Sequence, residues 1–423
     1  MEKLYVYADF DWLDTPELVG ELSYESLRGS DSYGFKYDNN WLNRHGSLTL
    51  SDDLNNYPGQ QYTQPGRDIF GCFSDALPDR WGRTLLKRRE QIEAQAEGRP
   101  VRRLSSFDYL VGIDDASRMG GFRFRKSLDG EFLNAQGGLK IPPLTQLREL
   151  IAASKEIERS EEKNVLPEQR WIAQLVNPGS SLGGARPKAS VVDDDQSLHI
   201  AKFPSRKDDY DVAAWEHVAH LLAKKAGINV SQTKLISTDD NHRTLLSRRF
   251  DRTEDGRRIH FASALSLLGL ADGDNATNGH GYLDIVDFII QSCADVEANL
   301  EELYRRVAFN IVIGNTDDHF RNHGFLLTRK GWTLSPAYDI NPTTGFYQSL
   351  LINNDTNESS LKILLDSAED YMLTKAKASE IINGVLASMS DLQRYTTRFG
   401  ISKREIDYFN LSARIARLKS DLQ

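Results

Sequence analysis

Residues 312–343 read VIGNTDDHFRNHGFLLTRKGWTLSPAYDINPT, and no other stretch restricts the chain as much. A short polar loop, NTDDHFRN, lies between two apolar runs; a hairpin with its turn near Lys330-Gly331 follows; a second polar loop carries Asp339. Asp317 and Asn322 stand five residues apart in the first loop. Taken singly, such residues form turns, because their short side chains bond nearby backbone groups. Together they have the spacing that phosphoryl transfer requires: an Asp that orients the attacking hydroxyl and takes its proton, an Asn five residues on that holds Mg²⁺, and a later Asp beyond a hairpin that chelates Mg²⁺ under the nucleotide phosphates. A competing reading puts a hydrolytic metal on Asp318, His319 and His323, with the histidines four apart as on one helix face. It ranks below phosphotransfer. No further His or Cys cluster completes the site, and a helix there would have to run through Arg321-Asn322 and stop at Gly324.

Upstream lies NPGSSLGGARPKASVVDDDQSLHIAKFPSR, in which Gly179, Gly183 and Gly184 allow backbone to approach phosphate closely and ASVV and LHIAKF read as flanking strands. The run is neither a Walker A sequence nor the glycine spacing of eukaryotic kinases, and a glycine-rich hairpin alone is a turn. Lys202 gives it weight, because a Lys on the strand after such a loop can neutralise the α- and β-phosphates. Residues 209–226 then read as a helix with Val212, Trp215, Ala219 and Leu222 on one face and Gly227 as its cap. Glu216 on that helix is a candidate partner for Lys202, a surface position being the plainer expectation.

NTDDHFRN and SPAYDINPT, with SSLGGARPK, HIAKFP, RRFDR and the amino-terminal FSDALPDRWGRTLL, occur in the order used by the HipA family of bacterial serine/threonine kinases. The chain resembles that family over nearly its whole length. The resemblance implies an α+β, two-lobed protein-kinase-like fold, with a β-rich small lobe and a helical large lobe, preceded by a HipA-type amino-terminal α/β domain. It implies ATP and Mg²⁺ as cofactors, Asp317 as catalytic base, and Asn322 and Asp339 as metal ligands. Nucleotide contacts would come from Ser181, Gly183, Gly184, Ala185, Lys188, Lys202, Arg249, Phe250, Asp251, His319, Asn322 and Asp339. LLSRRFDR resembles the family's hinge, whose backbone meets adenine with Phe250 near the base; Arg248 stands where some relatives have an acidic residue, which leaves the adenine contact there to main chain. The family autophosphorylates a Ser at the start of the glycine-rich loop, a position that Ser181 takes here, with Ser180 beside it. FSDALPDRWGRTLL is expected to pack against the kinase body, with no chemistry of its own. A toxin–antitoxin role is implied too, with a dimeric helix-turn-helix, HipB-like antitoxin as partner and targets in the translation machinery such as aminoacyl-tRNA synthetases. A small-molecule kinase would share every motif, and a non-catalytic co-repressor joined to a DNA-binding antitoxin is the alternative from another class.

The rest of the sequence bounds this reading. A length of 423 residues, 39% hydrophobic and 27% charged, suits a soluble protein of two or three domains, here 1–145, 146–250 and 251–423. Cys72 and Cys293 sit in unrelated segments, which indicates neither a disulfide framework nor a zinc site and fits a reducing cytoplasm. No signal-like amino terminus and no run of about 18 apolar residues is present, so neither secretion nor membrane insertion is expected. A net charge of −9 argues against nucleic-acid binding by the chain alone. The basic run Arg80, Arg83, Lys87, Arg88, Arg89 is read as a solvated helix face. Residues 4–50 alternate as a small antiparallel sheet, 68–96 as a helical stretch with Pro78 near a helix start, and LTQLRELIAASKEIER as an amphipathic helix; most of the chain beyond 280 reads as helix.

Overall fold

The structure, a computed structural model, describes residues 1–27, 30–64, 67–135, 141–176, 184, 186–237 and 242–422. The chain forms two compact units, one of residues 1–207 and 246–262, the other of residues 208–245 and 263–423.

The first unit opens with β1 (Glu2–Ala8), β2 (Glu17–Leu27), β3 (Ser30–Tyr37), β4 (Gln60–Tyr62) and β5 (Phe122–Arg125), an antiparallel sheet in the order β4-β3-β2-β1-β5. Alternation sets its buried face: Leu4, Val6 and Ala8 are 0% exposed. Phe10, Phe35, Phe73 and Phe122 are buried together, each ring contributing about 1.5–3 kcal/mol by leaving water. The helix Arg80–Glu97 starts where Asp79, behind Pro78, accepts from the Gly82 N–H at 2.7 Å, and it ends at Gly98 in the left-handed conformation, φ +66°. Trp81, Leu85, Leu86 and Ala94 form its buried face. Its basic run is spread over local partners, Arg89 near Glu93 (3.8 Å) and Arg83 donating to the Pro78 carbonyl (3.2 Å).

Leu147–Glu162 is the amphipathic helix that its sequence pattern predicts, burying Leu147, Leu150, Ile151 and Ile157. Two strands follow, β6 (Lys188–Val192) and β7 (Leu198–Lys202), paired antiparallel with Lys188 opposite Lys202. The strand that ends at Arg248 lies next to β7 in the sheet order. The hairpin thus shares a compact unit with the amino-terminal sheet. Composition marks linkers; it does not register a distant contact such as Lys188 to Asp79.

The second unit is built on the helix Val296–Ile313, which packs against the helices Tyr282–Ser292, Lys375–Ser388 and Leu411–Asp421. Leu303, Tyr304, Val307 and Ile311 are 0% exposed and form its apolar face, and from Arg306 to Ile313 every residue of the helix is buried. Gly314 ends it with φ +79°, and a Cβ there would meet the Thr343 carbonyl oxygen at 3.1 Å. Both the turn and the close approach therefore require glycine. The strands Gly324–Thr328 and Gly331–Leu334 pair antiparallel, as the sequence spacing predicts, with Thr328 opposite Gly331. Among the described residues no helix is long and apolar enough to cross a membrane.

Candidate active site

The loop after Gly314 is shaped by its own backbone. Thr343 N–H donates to the Gly314 carbonyl at 2.8 Å, and the Thr316 and Thr343 hydroxyls lie 2.6 Å apart, so residues 314–316 are stitched to the end of the second polar loop. The Asp317 carbonyl then accepts twice, from the His319 N–H and from Asn322 Nδ2, both at 3.1 Å. Asn322 closes a short 3₁₀ turn, Phe320–Asn322, and is 7% exposed. With its amide nitrogen held this way, its Oδ1 is buried and has no hydrogen-bond partner among the described residues. Buried polar atoms are nearly always paired, so an orphan of this kind asks for a ligand.

The two neighbouring aspartates divide the labour between surface and core. Asp317 is exposed, whereas Asp318 is buried at 3% exposure. Asp318 Oδ2 accepts from the Tyr282 hydroxyl (2.8 Å) and Asn310 Nδ2 (2.7 Å) and lies 2.9 Å from His323 Nε2. Burial pushes its carboxyl up, but the His323 imidazole beside it and the hydrogen bonds from His323 and Tyr282 outweigh this and hold it below the usual carboxylate value. Asp318 and His323 therefore hold the loop to the helices, and the hydrolytic reading loses its carboxylate. Among the described residues, no group of three His, Cys, Asp or Glu side chains is placed to hold a metal.

Asp339 has φ +57°, the left-handed region that costs a non-glycine residue of order 1–3 kcal/mol. Its surroundings impose this conformation. Ala337 is bridged on both sides, its N–H to the Asn229 carbonyl (2.8 Å) and its carbonyl to the Ser231 N–H (3.0 Å), and the Tyr338 hydroxyl donates to the Arg321 carbonyl at 2.5 Å. Asn341 Nδ2 reaches Asp339 Oδ1 at 3.4 Å, and Asn341 Oδ1 is a second buried oxygen without a partner among the described residues. The structure thus ties the Asp339 loop to the Asp317–Asn322 loop by side-chain and backbone bonds. An oxygen-only set of one carboxylate and orphaned amide oxygens suits Mg²⁺, which takes few protein ligands alongside phosphates. His319 Nδ1, on the same turn, is a buried ring nitrogen without a hydrogen-bond partner among the described residues.

In the first unit, β6 and β7 bring Lys188 and Lys202 together as cross-strand neighbours. Gly184 is exposed with φ +29°; Ser181, Gly183 and Ala185 lie outside the described residues, as does Ser180. The hinge residues take a structural part that sequence reading missed. Arg249 grips Asp251 with two bonds (2.8 and 2.6 Å) and donates to the carbonyls of Ser117 (2.7 Å) and Arg118 (2.9 Å). Asp251 also accepts from the Gly120 N–H at 2.8 Å and is 0% exposed. Their side chains anchor the hinge to the 117–120 turn. Phe250 is half-buried against Phe261, ring centroids 5.8 Å apart. Glu216 is 2% exposed, buried where a surface position was the plainer expectation.

Residues 180–392, more than half of the chain, match the model of the HipA-like C-terminal domain, and residues 12–107 match that of the HipA N-terminal domain. The serine/threonine-protein kinase toxin HipA of Shewanella oneidensis is 26% identical over 352 residues, 76% of this chain and 72% of that protein. A putative kinase of Haemophilus influenzae is 26% identical over 195 residues, which are 41% of this chain and span 57% of the relative's length. The solved Shewanella oneidensis HipA, in a complex with HipB and operator DNA, superposes with a TM-score of 0.63 at 15% identity, covering 99% of this chain and 97% of that one, a likeness of fold. The chain belongs to the HipA family of serine/threonine kinases.

Proposed function

We propose that this chain is a toxin-type protein kinase that transfers the γ-phosphoryl group of ATP to a Ser or Thr hydroxyl of a cellular protein. Asp317, exposed at the head of its loop, orients the acceptor hydroxyl and takes its proton. Asn322 and Asp339 hold Mg²⁺, which when bound offsets the negative charge of the transferring phosphoryl group. In this reading Lys202 neutralises nucleotide phosphates. The observation that carries the proposal is the buried Asn322 Oδ1, without a partner among the described residues, on an amide whose nitrogen donates to the Asp317 carbonyl, since an Asn serving only as a turn former would satisfy both ends of its amide locally.

The solved Shewanella HipA is in complex with HipB and operator DNA. By that likeness a HipB-like antitoxin is the proposed partner, and DNA is reached through it, because a net charge of −9 gives this chain no general attraction to phosphate backbones. The proposed site of action is the cytoplasm, with a component of the translation machinery such as an aminoacyl-tRNA synthetase as acceptor. Autophosphorylation of Ser181 switches the enzyme off in this scheme: a phosphate of about −1.5 to −2 charges beside the nucleotide phosphates repels them. Incubating the protein with γ-labelled ATP, Mg²⁺ and a bacterial lysate tests the whole. A labelled acceptor protein is expected, with peptide mapping placing a second label on Ser181. Label confined to small molecules would favour a metabolite kinase, and no label at all a co-repressor without catalysis.

A further inference from the structure

The register of β6 and β7 sets Lys188 directly opposite Lys202. Side chains so paired leave the same face of the hairpin with Cβ atoms about 4.5–5.5 Å apart, and like charges there repel. Asp79, more than a hundred residues upstream in sequence, compensates: its Oδ2 accepts from Lys188 Nζ at 2.7 Å, with side-chain exposures of 5% and 2%. The carboxylate is itself aimed by the start of the helix Arg80–Glu97, through its Oδ1 bond from the Gly82 N–H at 2.7 Å. The same Lys188 ammonium donates to the Gly184 carbonyl at 3.3 Å. One line of hydrogen bonds therefore runs from a helix start in the amino-terminal domain to the carboxy-terminal root of the glycine-rich loop.

We infer that Asp79 is a positioning residue for nucleotide binding, acting through Lys188 to hold the Gly184 carbonyl and to take up one of the two positive charges facing each other on β6 and β7. This deepens the kinase reading and rests on it. The motif FSDALPDRWGRTLL thereby gains a part in the site: its Asp both begins a helix and holds the loop root. The pair is also conditional on pH. Burial pushes the Asp79 carboxyl up to about 6 against the opposing pull of Lys188, the Gly82 N–H and Arg83, so the ion pair exists above that pH and is lost below it.

Asp79→Asn and Asp79→Ser separate the two roles, because Asn and Ser both cap helices and the helix start survives while the charge is lost. Lys188→Met removes the other end. Mg²⁺-ATP affinity of the full chain is measured from pH 5 to 8, together with amide hydrogen exchange over residues 186–190 without nucleotide. At pH 7.5 each single variant is expected to bind ATP about 5- to 10-fold more weakly, the Asp79→Asn/Lys188→Met double variant no more weakly than either, and exchange over 186–190 to rise in all. The wild-type affinity falls below about pH 6, and Asp79→Asn does not show that fall. Equal or tighter ATP binding in Asp79→Asn beside a wild type that binds ATP overturns the inference and returns Lys188 to direct phosphate contact. A wild type that binds no ATP overturns the kinase reading instead, and the exchange measurement alone then decides whether Asp79 holds the loop.

Discussion

The Tyr338 hydroxyl donates to the Arg321 carbonyl at 2.5 Å, tying the residue before Asp339 to the turn that ends in Asn322. The two proposed metal ligands are thus spaced by a bond that neither of them makes. A hydroxyl–carbonyl bond of this kind contributes about 0.5–1.5 kcal/mol, so Tyr338→Phe is expected to lower kcat/KM by roughly 2- to 10-fold and to raise the Mg²⁺ concentration for half-maximal rate. Steady-state rates across a Mg²⁺ titration check this; a loss of rate with an unshifted Mg²⁺ dependence would place the effect elsewhere.

In the proposed mechanism Asp317 and Lys202 have different tasks, orientation of the hydroxyl and binding of phosphate. Asp317→Asn should therefore reduce phosphoryl transfer by about 10²- to 10⁴-fold while leaving Mg²⁺-ATP affinity within error of wild type. Calorimetric titration beside a γ-label transfer assay separates the two quantities. Full activity in the variant would remove Asp317 from the role of base.

As the proposed metal ligands, Asp339 would bring a full negative charge and Asn322 a neutral oxygen. The expected order is that Asp339→Asn weakens Mg²⁺-dependent nucleotide binding more than Asn322→Ala does. Identical nucleotide affinity in wild type and Asp339→Asn over a Mg²⁺ titration would make Asp339 a turn residue held at φ +57° for shape alone.

What the sequence showed and what it hid follow from the range of the interactions. Spacing along the chain picks out Asp317, Asn322 and Asp339 as candidates, because a loop, a hairpin and a loop are local objects. The hairpin Gly324–Leu334 and the helix Leu147–Glu162 were legible for the same reason. Adjacent aspartates have no local signal that separates them. Only the Tyr282 and Asn310 partners, from two other helices, show Asp318 to be the buried one. Likewise β5 joins the sheet beside β1 across more than a hundred residues, and Asp79 meets Lys188 at similar range, so no window on the sequence contains either pair.

Asp318 carries its own prediction. Asp318→Ala leaves Tyr282, Asn310 and His323 facing a buried void where a carboxylate accepted from them, and breaking such a group is expected to cost about 3–5 kcal/mol. Urea melts read this directly. A variant with unchanged stability and lost activity would instead argue that Asp318 acts on substrate.

His260 should make the first unit labile to mild acid. Its ring stacks on Phe10 (centroids 4.8 Å, 18° between planes) and lies 4.3 Å from the centroid of Phe122, while Nδ1 accepts weakly from the Gly121 N–H at 3.4 Å, so the folded chain holds the neutral imidazole. Burial pushes its pKa from 6.5 down to about 3. As pH falls below 6.5 the unfolded chain takes up a proton that the folded chain refuses, so the unfolded state binds more protons and stability drops with falling pH until about 3. The slope from this one group approaches about 1.4 kcal/mol per pH unit. His217 in the second unit, lowered to about 4 by burial first and then by His220, Arg243 and Arg398, adds a window of the same sign there. His260→Phe keeps an aromatic ring between Phe10 and Phe122 and removes the titrating group. Urea melts at pH 7.5, 6.0 and 5.0 should show the wild type losing stability stepwise and the variant losing less by close to one proton's worth of slope; parallel pH profiles for the two would mean that His260 is not the group that titrates.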